Sequence, residues 1–164
     1  VPVILSGSLS VSGVVLWQTQ HHWVAAWPVV PGLPAFVLFF VAMLAESNRI
    51  PFDIPEAESE LVAGVTTEYT GMKFTLFDLA EYVHTLVGSA VAAALFLGGW
   101  DGPFHPGLGW MVLKTLALFV SVYWVRWSLL RLRSDQLLAL CWKWLTPIGV
   151  GLVVLAAAWV EVFP

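Results

Sequence analysis

Five long apolar segments, separated by short polar stretches, constrain the fold of this chain more than any other feature of its sequence. Hydrophobic residues make up 59% of its 164 residues and charged residues only 11%, with a mean hydropathy of +0.84. A chain this apolar does not dissolve as a monomer, and its length holds about five spanning helices of roughly 20 residues each. The sequence therefore predicts an all-α polytopic membrane helix bundle that forms one transmembrane domain.

The apolar segments set the approximate bounds of the predicted spans. These are residues 3–17, 31–46, 79–100, 108–127 and 141–163. The first segment covers only about 22 Å at 1.5 Å per residue, which is less than a membrane core of ~30 Å. Because the chain starts inside an apolar run and has no initiator Met, it is expected to be a fragment of a longer protein.

The basic residues predict which loops face the cytoplasm. Loops 18–32 and 101–107 contain no Lys or Arg, whereas six of the seven basic residues lie in or beside the alternate loops. The loop 47–78 and the basic loop 127–140 are therefore expected on the cytoplasmic side or its organellar equivalent. Lys114 is the exception, with two interpretations: a side chain that extends to the opposite interface, which is favoured, or a buried functional lysine.

Carboxylates are concentrated directly after the second apolar segment. Eight of the eleven acidic residues lie between Glu46 and Glu81. An ionised side chain at membrane depth costs roughly 2.5 to 3.5 kcal/mol on insertion scales, so this cluster is a candidate functional site. The alternative is an ordinary solvated acidic helix on a cytoplasmic loop.

A short acidic helix is predicted within this loop, from about residue 54 to 63. Asp53 followed three residues later by Glu56 resembles a capping box, and Pro55 fits the first helical turn. On such a helix Glu60 shares the face of Glu56, and Glu58 points to the opposite side.

The third predicted span carries a polar stripe. It comprises Asp78, Glu81, Tyr82, Thr85 and Ser89. A stripe this polar is expected to face protein or water instead of lipid. His84 is a candidate to share the hydrogen-bond network of Glu81, and the alternative for it is an ordinary interfacial histidine.

Several classes of site are excluded for this chain alone. The single Cys141 rules out a disulfide framework, and with four scattered histidines it rules out a zinc or iron–sulfur site. The sequence contains no glycine-rich dinucleotide fingerprint. We therefore expect no metal and no cofactor bound by this chain, and no nucleic-acid partner.

Five stretches of sequence carry a family resemblance. They are Ala45 to Asp53, Glu56 to Gly64, Glu68 to Phe74, Leu79 to Tyr82, and Arg131 to Leu137 with the nearby Trp142, Lys143 and Pro147. Together they closely resemble the quinone-binding membrane H subunit of respiratory complex I (NADH:quinone oxidoreductase), the counterpart of mitochondrial NADH dehydrogenase subunit 1. The five apolar segments fit the last five of that family's eight helices. Asp78 and His84 depart from the family pattern.

The resemblance implies a non-redox subunit of a proton-translocating enzyme. Ubiquinone or menaquinone would enter from the bilayer and be reduced by an iron–sulfur cluster in a partner subunit, with FMN also held by partners. The implied partners are hydrophilic quinone-site subunits and antiporter-like membrane subunits. The implied location is the bacterial inner membrane, with the mitochondrial inner membrane as the alternative.

The resemblance also implies roles for particular residues. The quinone tunnel would contain Glu46, Arg49, Phe52, Asp53 and Lys73. The proton pathway would contain Glu56, Glu58, Glu60, Glu68, Glu81, Tyr82 and His84. A cytoplasmic basic motif would contain Arg126, Arg131, Arg133, Asp135 and Lys143.

Two other functions compete with this one. An equivalent subunit of a membrane-bound hydrogenase-type complex would keep the same fold, although the loop from Glu46 to Asp53 favours complex I. A self-contained proton or cation transporter would require inverted repeats and paired helix breaks, and the sequence has neither.

Overall fold

The described part of the chain is built from helices. The computed structural model describes residues 1–20, 32–47, 51–52, 71–102, 106–130 and 132–162, and it contains no strand in these ranges. The helices in chain order are α1 (Pro2–Ser6), α2 (Val11–Gln20), α3 (Gly32–Glu46), α4 (Met72–Phe96), α5 (Leu108–Ser128), α6 (Ser134–Leu140) and α7 (Thr146–Val162), with a π-helical turn (Cys141–Leu145) between the last two. The predicted acidic helix at 54–63 lies outside the described residues.

Three helical stretches in these ranges are long and apolar enough to cross a membrane. They are Met72–Phe96, Leu108–Ser128 and the continuous stretch Ser134–Val162. α3 is also apolar but has only 15 residues. The prediction of an all-α membrane helix bundle is confirmed.

The first predicted span differs from the structure, because it is divided into two short helices. Gly7 ends α1 with a left-handed φ of 62°. The Ser10 hydroxyl oxygen then accepts a hydrogen bond from the Gly13 N–H at 3.1 Å, which caps the start of α2. Serine side chains that bond to nearby backbone compete with a continuous helix, and hydropathy alone does not reveal this.

Two other helices begin earlier than hydropathy predicts. α4 starts at Met72 instead of residue 79, and the last stretch starts at Ser134 instead of residue 141. At 1.5 Å per residue these helices are about 37 and 43 Å long, so each exceeds a membrane core of ~30 Å. Hydropathy marks the apolar part of a helix, whereas the hydrogen-bonded helix continues into polar sequence.

The π-helical turn lies directly before Pro147. Pro147 has no N–H to donate to the carbonyl of Lys143, so the regular hydrogen-bond pattern is interrupted at this point. The Thr146 hydroxyl donates instead to the Cys141 carbonyl at 2.9 Å. Pro and π-bulges are the usual causes of a local bend in a long helix.

α4 is the central helix of the site because α3 and α5 pack on two of its faces. Ala92 and Ala93 of α4 are fully buried and pack with Leu118 of α5, where small side chains let the helices approach closely. On the other face, a Cβ at Gly88 would lie 2.9 Å from the Met43 Sδ of α3. Glycine at this position therefore permits the contact between α3 and α4.

Candidate functional site

The start of the acidic loop (residues 47–78) meets the basic loop (127–140) at one end of the bundle. At this end α3 and α5 finish and α4 begins. Phe52 has only 6% of its surface exposed and packs with Met43, Leu44 and Val122. The backbone N–H of Leu132 donates to the carbonyl oxygen of Pro51 at 3.0 Å. Phe52, predicted as a tunnel residue, thus lies in a hydrophobic core cluster and anchors the start of the acidic loop.

Glu46 and His84 line one cavity between α3 and α4. Glu46 is the last residue of α3, and His84 lies in the fourth turn of α4. The cavity has a volume of about 260 Å³, and its other lining residues are Phe39, Ala42, Met43, Val87, Gly88 and Val91. Glu46 and His84 are both exposed side chains, and the other residues that line this cavity are apolar. His84 was predicted to share the hydrogen-bond network of Glu81, and that link stays a prediction; the cavity adds Glu46 as a second neighbour.

The polar stripe of α4 is buried in its middle part. Thr85 and Ser89 have 0% of their surface exposed, so they face protein as predicted. The Thr85 hydroxyl donates to the Glu81 carbonyl at 2.8 Å, and the Ser89 hydroxyl donates to the Thr85 carbonyl at 2.8 Å. Their protons satisfy the helix backbone, and each oxygen can still accept a hydrogen bond. Of the two acids in this stripe, Glu81 is half-buried and Asp78 is exposed.

Two tyrosine rings connect α4 to α5. The ring on α4 belongs to Tyr82, which directly follows Glu81 in the sequence. The rings of Tyr82 and Tyr123 are stacked, with centroids 6.3 Å apart and planes 10° from parallel. Tyr123 also contacts Phe119, at a centroid distance of 4.9 Å. Tyr123 was not among the predicted site residues, although the spacing of Phe119, Tyr123 and Trp127 is that of one helix face.

A second cavity lies along the same face of α5 and has a volume of about 440 Å³. Its lining residues are Phe119, Val120, Tyr123, Trp124, Trp127 and Ser128.

The described basic-motif residues lie between the last turn of α5 and the π-helical turn. Arg126 is half-buried in the last turn of α5, and Arg133, Asp135 and Lys143 are exposed. The backbone N–H of Arg133 donates to the side-chain oxygen of Gln136 at 3.4 Å, and Asp135 in the first turn of α6 favours its positive end.

The structure also locates Lys73, which is exposed in the first turn of α4. The other predicted site residues lie outside the described ranges: Arg49, Asp53, Glu56, Glu58, Glu60, Glu68 and Arg131. Within the described ranges, no group of three His, Cys, Asp or Glu side chains could hold a metal ion.

Comparison with known proteins assigns the family. The NADH dehydrogenase family model matches residues 1–157. The chain is 42% identical over 186 residues to the NADH-quinone oxidoreductase H subunit of Anaeromyxobacter dehalogenans (strain 2CP-C), covering 97% of this chain and 45% of the relative. It is 47% identical over 169 residues to the H subunit of the same enzyme from Burkholderia vietnamiensis (strain G4 / LMG 22486), covering 96% and 47% respectively.

A further relative is the NADH-quinone oxidoreductase H subunit numbered 2 of Geobacter sulfurreducens (strain ATCC 51573 / DSM 12127 / PCA). It is 47% identical over 161 residues, which cover 98% of this chain and 47% of the relative. The chain thus spans about half the length of the curated relatives it matches. With the family model and these identities over nearly all of its length, the chain belongs to the NADH dehydrogenase family, among the H subunits of NADH-quinone oxidoreductase.

Proposed function

We propose that this chain belongs to a membrane subunit of proton-pumping NADH:quinone oxidoreductase that lines the quinone-access tunnel and begins a glutamate-lined proton pathway. The observation that carries the proposal is the shared cavity of Glu46 and His84 between α3 and α4. Two exposed titratable side chains from different helices line this cavity beside apolar residues, and α4 also carries the buried Thr85 and Ser89.

Titratable groups that line one cavity can interact through their charges. When two such groups interact strongly, their protonation states are coupled. Reduction of a quinone consumes protons and changes the local charge. Glu46 and His84 are the residues of this cavity that we place in the proposed proton pathway.

The second step of the proposed pathway runs along α4. Glu81 and His84 lie on neighbouring faces of this helix, since residues three apart are adjacent on a helix surface. The buried oxygens of Thr85 and Ser89 continue from Glu81 towards the middle of the helix and can accept hydrogen bonds from water. Glu56, Glu58, Glu60 and Glu68 of the acidic loop supply further carboxylates to this pathway.

The proposed tunnel uses the anchored start of the acidic loop. Phe52 fixes this segment on α3 and α5. In the sequence, Arg49 precedes the anchored residues Pro51 and Phe52, and Asp53 follows them. A fixed cation beside carboxylates can orient a polar quinone headgroup. The electrons come from an iron–sulfur cluster and FMN of partner subunits, and this chain contributes no redox group. Antiporter-like subunits receive the proton signal, and the complex lies in the bacterial inner membrane.

The test is Glu46→Gln in the assembled complex, with Glu161→Gln as the matched control. Glu161 is an exposed acid near the end of α7, outside the proposed pathway. Glutamine keeps the shape and hydrogen-bonding capacity of glutamate but cannot titrate. We expect Glu46→Gln to lower quinone reduction and proton translocation together, and Glu161→Gln to leave both unchanged. Wild-type values of both rates in a fully assembled Glu46→Gln complex would remove Glu46 from the pathway.

A further inference from the structure

Lys114 lies at the end of the bundle opposite the acidic loop, where α4 ends and α5 begins. Its ammonium group donates to three main-chain carbonyl oxygens: that of Leu97 at 2.6 Å, that of Gly99 at 3.2 Å, and that of Asp101. An ammonium group has three N–H donors and no acceptor. All three donors of Lys114 can therefore be satisfied by one backbone turn.

The turn that follows α4 presents these carbonyls to Lys114. Gly98 and Gly99 have positive φ angles of 74° and 50°, which reverse the chain after the last helical turn. The N–H of Gly99 donates back to the Ala93 carbonyl at 3.0 Å, and the N–H of Asp101 donates to the Gly98 carbonyl at 2.9 Å. The carbonyls of Leu97, Gly99 and Asp101 are thus directed to one point.

A third helix completes this cluster. Gln18 of α2 has only 2% of its surface exposed, and its amide Nε2 donates to the Leu95 carbonyl at 2.5 Å. The Gln18 Oε1 is buried and has no hydrogen-bond partner among the described residues. A Cβ on Gly99 would lie 3.0 Å from the Val15 side chain of α2, so α2 packs directly on the turn. α2, α4 and α5 therefore meet at one polar cluster.

The main-chain carbonyls at the end of α4 match a cationic partner. The last carbonyls of a helix have no partners within the helix, and the C-terminal end of the helix carries a partial negative charge. The three groups that accept hydrogen bonds from Lys114 are main-chain carbonyls, which do not take up protons.

We propose that Lys114 is a tethered cation that closes the end of α4 and fixes α2, α4 and α5 to one another, and that it does not carry protons. It is a positioning residue, because the turn it holds sets the end of the helix that carries Glu81, Thr85 and Ser89. The proposal does not depend on the quinone tunnel or on the proton pathway.

The experiment measures amide hydrogen exchange of the 97–101 turn in the assembled complex. Lys114→Met removes the charge with a side chain of similar length, and Ser121→Ala is the matched control because it removes one exposed hydrogen bond from side chain to backbone on the same helix. We expect the N–H groups of Leu97, Gly99 and Asp101 to exchange at least tenfold faster in Lys114→Met and at the wild-type rate in Ser121→Ala. Unchanged exchange in Lys114→Met would overturn the proposal.

A second variant keeps the proposal testable if Lys114→Met does not assemble. Lys114→Ala removes the atoms of n-propylammonium, so propylammonium added during assembly should restore the complex and the protection of the turn. Neutral 1-propanol at the same concentration should not. Equal rescue by both compounds, or by neither, would contradict a requirement for the cation.

Lys114→Arg separates positioning from proton transfer. Arginine keeps its charge at all accessible pH values and cannot be deprotonated in proteins. An assembled Lys114→Arg complex should retain the wild-type ratio of protons translocated to electrons transferred. A lower ratio at a normal electron-transfer rate would show that Lys114 carries protons.

Discussion

Replacement of Phe52 by alanine should release the start of the acidic loop from the bundle. Phe52 is almost fully buried against α3 and α5, and truncation of a buried phenylalanine to alanine costs about 3 to 5 kcal/mol. Because each 1.4 kcal/mol is a factor of ten in an equilibrium constant, local opening at this junction should become at least ~100-fold more frequent. The loss comes from removed contacts and from the cavity that remains.

The Leu132 N–H reports this opening directly because it donates to the Pro51 carbonyl. We expect its hydrogen exchange in the assembled complex to accelerate by about two orders of magnitude in Phe52→Ala, with a lower quinone reductase rate. Phe74→Ala is the matched control, since that ring lies on α4 with 44% of its surface exposed. Exchange of Leu132 at the wild-type rate in Phe52→Ala would refute the anchoring role.

Three further predictions test other parts of the structure. Gly88→Val should push α3 away from α4, because even a Cβ at Gly88 would lie 2.9 Å from the Met43 Sδ. The yield of assembled complex should therefore fall, and adding Met43→Ala in a double variant should recover it. Cysteine labelling in right-side-out vesicles should reach Gly107 from outside and Arg133 only from inside, and the reverse pattern would contradict the orientation. Glu81→Gln should lower quinone reduction and proton translocation together, and Glu81→Asp should recover part of both; wild-type turnover in Glu81→Gln would return this residue to a structural role.

The fold class was predictable because hydropathy measures what a membrane helix needs. The spans of α3 and α5 follow the apolar sequence closely, since their ends coincide with the change from apolar to polar residues. The break after Gly7 was not predictable from hydropathy, because it depends on local hydrogen bonds of serine side chains. The start of α4 at Met72 was also not predictable from hydropathy, because a helix can continue through exposed polar residues.

The site was only partly predictable because helix periodicity gives faces but not neighbours. The spacing of Thr85 and Ser89 indicated a buried stripe, and the structure buries both. Periodicity could not assign His84 to the cavity with Glu46, because that depends on which helix packs on each face of α4. For Lys114, the sequence favoured extension to the opposite interface, and the structure adds the three carbonyls that bind its ammonium.

The most direct test of the proposed coupling is infrared difference spectroscopy of the assembled complex during quinone reduction. If Glu46 changes protonation when quinone is reduced, the carboxyl region of the difference spectrum contains a band that disappears in Glu46→Gln and remains in Glu161→Gln. The band should also shift in His84→Gln, because His84 shares the cavity. An identical carboxyl spectrum in wild type and in an active Glu46→Gln complex would contradict the account.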